Sequence, residues 1–123
     1  MTLFIILYLL FIHWVADFLF QTTWMATNKY RDIGALVQHT LTYSIVMTLC
    51  MYPLLNNNIY SLLIFEIVTF VVHTAQDYIT SKMTHKQFER KIYNGWNGAF
   101  TIIGLDQWLH FVQLFVTYSL LTH

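Results

Sequence analysis

Four apolar runs dominate this chain, and each is close to the roughly 20 residues that a helix needs to cross a bilayer. They fall at about Thr2 to Gln21, Ala35 to Tyr52, Ile59 to Thr80 and Ala99 to Leu121, the last with a possible inner start near Gly104. Pro53 and the asparagines from Asn56 to Asn58 separate the second from the third. Only 10% of the residues are charged, where a soluble domain carries about a quarter. The expected fold is therefore all-α: a polytopic membrane protein with a four-transmembrane-helix bundle, one domain over residues 1–123. The first run has no basic segment before it and continues past Asp17, so it reads as a retained helix rather than a secretory signal. The lone Cys50 cannot form an internal disulfide, and a net charge of zero gives no basic field for nucleic acid.

The loops are unequal. All six Lys and Arg lie in two of them, Lys29 and Arg31 in the first and Lys82, Lys86, Arg90 and Lys91 in the third. With four spans those loops share one side. The positive-inside rule puts that side in the cytoplasm and both termini outside it, in a multi-pass membrane protein. Trp24, Tyr30, Tyr78 and Trp96 fall near the basic boundary and Tyr52, Tyr60 and Tyr118 near the other, as interfacial aromatics do. Thr84 with Gln87 matches a capping box, and Met83 with Phe88 a hydrophobic staple. A short basic interfacial helix is expected there, with Phe88 and Ile92 as its apolar edge and Asn94-Gly95 as its stop. A solvated loop helix is the alternative.

Polar residues interrupt the apolar runs in a pattern. His13 and Asp17, His73 and Asp77, and Asp106 and His110 are each four residues apart, one turn of helix, and His39 stands near the start of the second run. The spans alternate in direction, yet all seven residues fall at the basic end, on the order of 5–15 Å below the boundary at 1.5 Å per residue. A charged aspartate at mid-helix costs on the order of 3 kcal/mol, and three together also repel one another. Two divalent cations, with a bound hydroxide, would balance them. Imidazole and carboxylate suit zinc first, then manganese or iron. His13, Asp17, His39, His73, Asp77, Asp106 and His110 are the expected metal ligands, Asp17, Asp77 and Asp106 the expected catalytic carboxylates, and Gln21 and Gln107 the groups expected to orient the ligands through hydrogen bonds. Glu66 stays open between a proton carrier, an orienting group and a paired core carboxylate. Tyr43 reads as packing, and His85 and His123 as solvated groups outside the cluster.

The stretches HWVADFLFQTTWMATNK (His13 to Lys29), QHTLTY (Gln38 to Tyr43), HTAQDYITSK (His73 to Lys82) and IGLDQWLH (Ile103 to His110) resemble a family of small bacterial and phage integral membrane proteins grouped as a domain of unknown function. That resemblance implies an inner-membrane protein and no particular activity. More distantly, the His/Asp pattern is similar to that of membrane-bound metal-dependent hydrolases. The function expected from the residues is a membrane-embedded hydrolase with a dinuclear site, acting on a phospholipid or lipid-linked phosphate or ester, with a homodimer as a natural assembly. The alternatives are metal transport, a scaffold or effector without catalysis, and haem-based electron transfer. The aspartates one turn from the histidines argue against the last.

Overall fold

The computed structural model describes residues 2–56 and 58–122; Met1, Asn57 and His123 lie outside the described residues, and the expectation for His123 with them. Every regular element among the described residues is helical. Helix α1 (Leu3–Trp14) runs without a break into a π turn (Val15–Leu19). Then follow α2 (Thr23–Asn28), α3 (Ile33–Met51), α4 (Ile59–Glu89) and α5 (Ala99–Leu121). Three of these, α3, α4 and α5, are long and apolar enough to cross a membrane, with 19, 31 and 23 residues. The first run is shorter: Leu3–Leu19 is apolar but falls below that length.

Local chemistry sets the boundaries. Thr2, Thr22, Asp32 and Asn58 each accept hydrogen bonds from backbone N–H groups of the first turn they precede, which relieves donors with no partner inside the helix. Pro53 follows the end of α3, where it cannot continue the ladder. Two expectations need correction. The basic segment after Thr80 is not a separate interfacial helix, because α4 continues unbroken to Glu89. No glycine or proline lies between Ile59 and Glu89, and Thr84 and Gln87 sit mid-helix rather than at a start. The short helix is instead α2, in the first loop, capped by Thr22 through the Met25 N–H.

At the end of α4, Lys91 takes a left-handed φ of 60°. Its N–H bonds Phe88 O and that of Ile92 bonds Gln87 O, the paired bonds of a Schellman motif. The chain then folds back over the start of α5: Ala99 N–H reaches Ile92 O at 2.9 Å and Gln87 Nε2 donates to Asn97 O at 2.7 Å. Gly98 has no room for a side chain, since a Cβ there would run into the backbone of Asn94.

The helices α3, α4 and α5 pack in sequence order, and α1 lies against both α3 and α5. Away from the basic loops the interior is apolar, built on Leu9, Tyr43, Met47, Met51, Phe65 and Leu114. The outer surface is apolar too: Phe4, Leu49, Ile67 and Leu120 are among many large exposed side chains. Only lipid or another apolar surface covers such faces comfortably. Glu66, in the apolar half, accepts from Ser44 Oγ and Thr48 Oγ1, each at 2.7 Å, which favours a paired core carboxylate.

These turns make a measurable prediction. Gly98→Ala should cost about 1–3 kcal/mol through the clash with Asn94, whereas Lys91→Gly should gain about 1 kcal/mol by relieving a left-handed lysine. Thermal unfolding in detergent, followed by circular dichroism, should therefore shift in opposite directions for the two variants.

Candidate metal centre

The π turn determines which side chains of its segment face inward. Phe20 N–H bonds Val15 O at 3.2 Å, five residues back. A π turn fits an extra residue into the helix and is common at functional sites. Here it buries Ala16 and Asp17 while Phe18 and Leu19 stay exposed. His13, one turn earlier, is buried as well, with its Nε2 3.6 Å from Asp17 Oδ2.

All seven residues singled out in the sequence are buried and come together in the half of the bundle nearer the basic loops. Four of them converge on one point. His39 Nε2 lies 3.1 Å from Asp17 Oδ1, 3.1 Å from Asp77 Oδ2 and 3.2 Å from His73 Nε2. His73 Nε2 lies 3.7 Å from Asp17 Oδ1 and 3.3 Å from Asp77 Oδ2. A tetrahedral ion with bonds of about 2.0–2.1 Å separates its ligand atoms by about 3.3–3.4 Å, so these spacings match the edges of such a tetrahedron. A second group shares one residue with the first. His110 Nε2 stands 3.2 Å from Asp77 Oδ1 and 3.1 Å from Asp106 Oδ2. Asp77 thus turns one carboxylate oxygen to each group.

His13 is set apart from both groups. Its Nδ1 pairs with Tyr43 Oη at 2.6 Å and its Nε2 with Gln107 Oε1 at 2.7 Å, so both ring nitrogens are engaged. Gln107 in turn donates to Asp17 Oδ2 at 3.2 Å and Asp106 Oδ2 at 3.3 Å. Gln21 is different: its Oε1 is buried and has no hydrogen-bond partner among the described residues.

Several participants were not assigned these roles from sequence. Gln76 Oε1 pairs with His110 Nδ1, and Thr80 Oγ1 donates to Asp106 Oδ1 at 2.6 Å. With His73 and Asp77 they occupy positions i, i+3, i+4 and i+7 of one helical face, a spacing visible in the sequence. Tyr43, expected to pack, also supplies a hydroxyl. Lys29 reaches in from the loop after α2 to within 3.2 Å of Asp77 Oδ2. Burial opposes its charge, but the attraction of Asp77, with Asp17 and Asp106, outweighs it and lifts the ammonium above the ordinary lysine pKa. Neighbouring contacts hold this loop down: Lys82 Nζ donates to Tyr30 O at 2.7 Å, and Tyr30 stacks on His85 at 3.6 Å. His85 also pairs with Glu89 at 2.9 Å, outside the cluster as expected, though half-buried rather than free in solvent.

The arrangement defines a class before it defines a member: a helical bundle of membrane-spanning length with a buried His/Asp cluster at one end. The family described as "Protein of unknown function (DUF3307)" matches residues 5–123, and the chain belongs to it. No curated protein and no solved structure matches the chain.

Lys29 is a built-in cation beside three carboxylates, which gives it a testable energetic signature. Lys29→Met should destabilise chelator-treated protein by about 3 kcal/mol, the cost of stripping one partner from a buried ion pair. Excess divalent metal should shrink that loss. An equal drop in melting temperature with and without metal would mean that Lys29 and metal do not share the carboxylates.

Proposed function

We propose that the protein is a four-span membrane hydrolase in which six of the seven clustered residues, all but His13, hold two divalent ions, zinc most naturally, near the cytoplasmic leaflet of a bacterial inner membrane. The observation that carries the reading is the convergence of Asp17, His39, His73 and Asp77, whose ligand atoms all lie within 4.8 Å of one another. Hydrogen bonding alone accounts poorly for it. Two Nε2 atoms 3.2 Å apart, each also facing carboxylate oxygens, have at most one proton apiece to share among several acceptors.

Within this reading the residues divide the work. Asp17, His39 and His73 hold one ion; Asp106 and His110 hold the other; Asp77 bridges them through its two oxygens. The second set has three protein ligand atoms, which leaves a coordination position free, as catalytic sites require. Two ions placed there would lower the pKa of a bound water and neutralise the oxygens of a phosphate or ester under attack. Gln107, Gln76 and Thr80 keep the ligand atoms aimed. Lys29 stands where an anionic group would approach. A lipid-borne phosphate or ester suits a site at this depth, because its scissile bond lies at the membrane interface. Haem fits less well: the His73 and His110 rings stack with centroids 4.2 Å apart, and no macrocycle passes between them.

A polar core without metal is the competing reading, favoured by the close Lys29–Asp77 pair. Elemental analysis of protein purified in detergent without added metal separates the two. The hydrolase reading expects about two ions per chain, about one after Asp106→Ala and close to none after Asp77→Ala, since Asp77 serves both sets. Chelation should lower the melting temperature of the wild type by removing a ligand bound only to the folded state. A wild type that carries no metal and ignores chelator would leave a hydrogen-bonded scaffold.

The orientation rests on the six Lys and Arg of the first and third loops. With Cys50 replaced by serine, a thiol at Asn56 should react with an impermeant reagent outside intact cells, and one at Lys86 should react only after lysis. The reverse pattern would invert the topology.

A further inference from the structure

The seam between the first apolar segment and α5 is closed over only part of its length. α3 packs on α4 and α4 on α5, and α1 touches both α3 and α5. The π turn that continues α1, however, leans onto α3 and does not approach α5. At that level the gap is crossed by a side chain, Gln107, which reaches His13 and Asp17. Beside it lies a cavity of about 520 Å³. Asp17, Asp77 and Asp106 line its polar part, and Lys29 contributes from the loop after α2. Phe18 and Ile103, one from each side of the open seam, supply apolar wall. Phe18 is 46% exposed on the same turn that buries Asp17.

The cavity is thus charged inside and apolar at the seam. A soluble polar ligand gains nothing from an apolar seam between apolar helices. An amphiphile does: its headgroup can occupy the charged space while its chains stay in the bilayer, with no apolar surface brought into water. Gln21 adds a second constraint. Gln21 lines the cavity, its Oε1 is buried without a partner among the described residues, and a buried acceptor left unmatched costs free energy until an N–H or O–H reaches it.

The geometry points to a lateral headgroup site: a phospholipid slides between the π turn and α5, and Gln21 accepts a hydrogen bond from a hydroxyl or ammonium carried beside its phosphate. Phosphoglycerol and phosphoethanolamine headgroups meet that description, and phosphocholine, which has no N–H or O–H, does not. The phosphate's attraction to the site rests on the metal reading above, because three carboxylates against one lysine would otherwise repel it. Lateral access and the Gln21 contact do not depend on metal.

Native mass spectrometry of the detergent-solubilised protein, metal-loaded and chelated, tests this with three lipids of identical chains. Phosphatidylglycerol or phosphatidylethanolamine should bind metal-loaded wild type about tenfold more tightly than phosphatidylcholine, the worth of one matched buried acceptor. Gln21→Leu should bring the lipids to within about twofold of one another by removing that acceptor. Ile103→Trp, which fills the seam, should weaken all three lipids while leaving metal content intact; Phe18→Trp probes the opposite wall should the first variant fail to fold. Soluble glycerophosphoethanolamine should compete poorly.

Equal affinity for phosphatidylcholine, or selectivity that survives Gln21→Leu, would overturn the headgroup contact. A soluble headgroup that binds as tightly as the lipid, or lipid binding untouched by both tryptophans, would overturn lateral access. The two readings fail separately. A wild type that carries no metal as purified but still ranks the lipids through Gln21 sinks the hydrolase and keeps the site, and a dinuclear protein indifferent to lipid does the reverse.

Discussion

A carboxylate buried among apolar helices has to be neutralised by its surroundings, and Asp77 is approached from every other part of the bundle's polar end. Its Oδ2 faces Lys29 from the first loop, His39 from α3 and His73 from its own helix, and its Oδ1 faces His110 from α5. The cost of an uncompensated charge in such a place is several kcal/mol. The remaining features follow from that constraint. α3, α4 and α5 must present their histidines at one depth, the loop after α2 must fold inward to deliver Lys29, and Gln76 and Thr80 must hold His110 and Asp106 in position. The apolar half, built on residues such as Met47, Phe65 and Leu114, has no comparable demand and needs only volume and fit.

That division also explains how a small bundle can carry a charged centre. Apolar packing in one half supplies cohesion without directional requirements. Each polar contact in the other half has a donor and an acceptor to place. Tyr43 belongs to both: its body packs with Met47 and Leu114 in the apolar cluster, and its hydroxyl meets His13. It ties the registration of α3 to that of α1.

Much of this was legible in the sequence. The apolar runs located the helices because length and composition decide what can cross a bilayer, and α5 fills the whole window read for it, Ala99 to Leu121, rather than starting near Gly104. The four-residue spacing of His and Asp located the cluster because neighbouring turns of a helix share a face. Three things were not legible. The capping pattern at Thr84 suggested a new helix, but a cap acts only where the preceding turn has ended, and nothing ends α4 there. Lys29 was legible as a basic loop residue but not as a partner of Asp77, since the inward fold of its loop depends on Tyr30 meeting Lys82 and His85 across a long sequence separation. The engagement of both His13 nitrogens depends on Gln107, more than ninety residues away.

The π turn places an unusual demand on the chain's length. Deleting one residue between Val15 and Leu19 would leave the segment as apolar as before and let it relax into a regular helix, the locally better conformation. Each residue of an α-helix advances about 100° around its axis. A π turn advances less per residue than that, so restoring α geometry there would re-aim Asp17 relative to His13 and to His39. Local helix stability and assembly of the centre oppose each other in this segment. The number of residues there, and not only their chemical type, is what the cluster depends on.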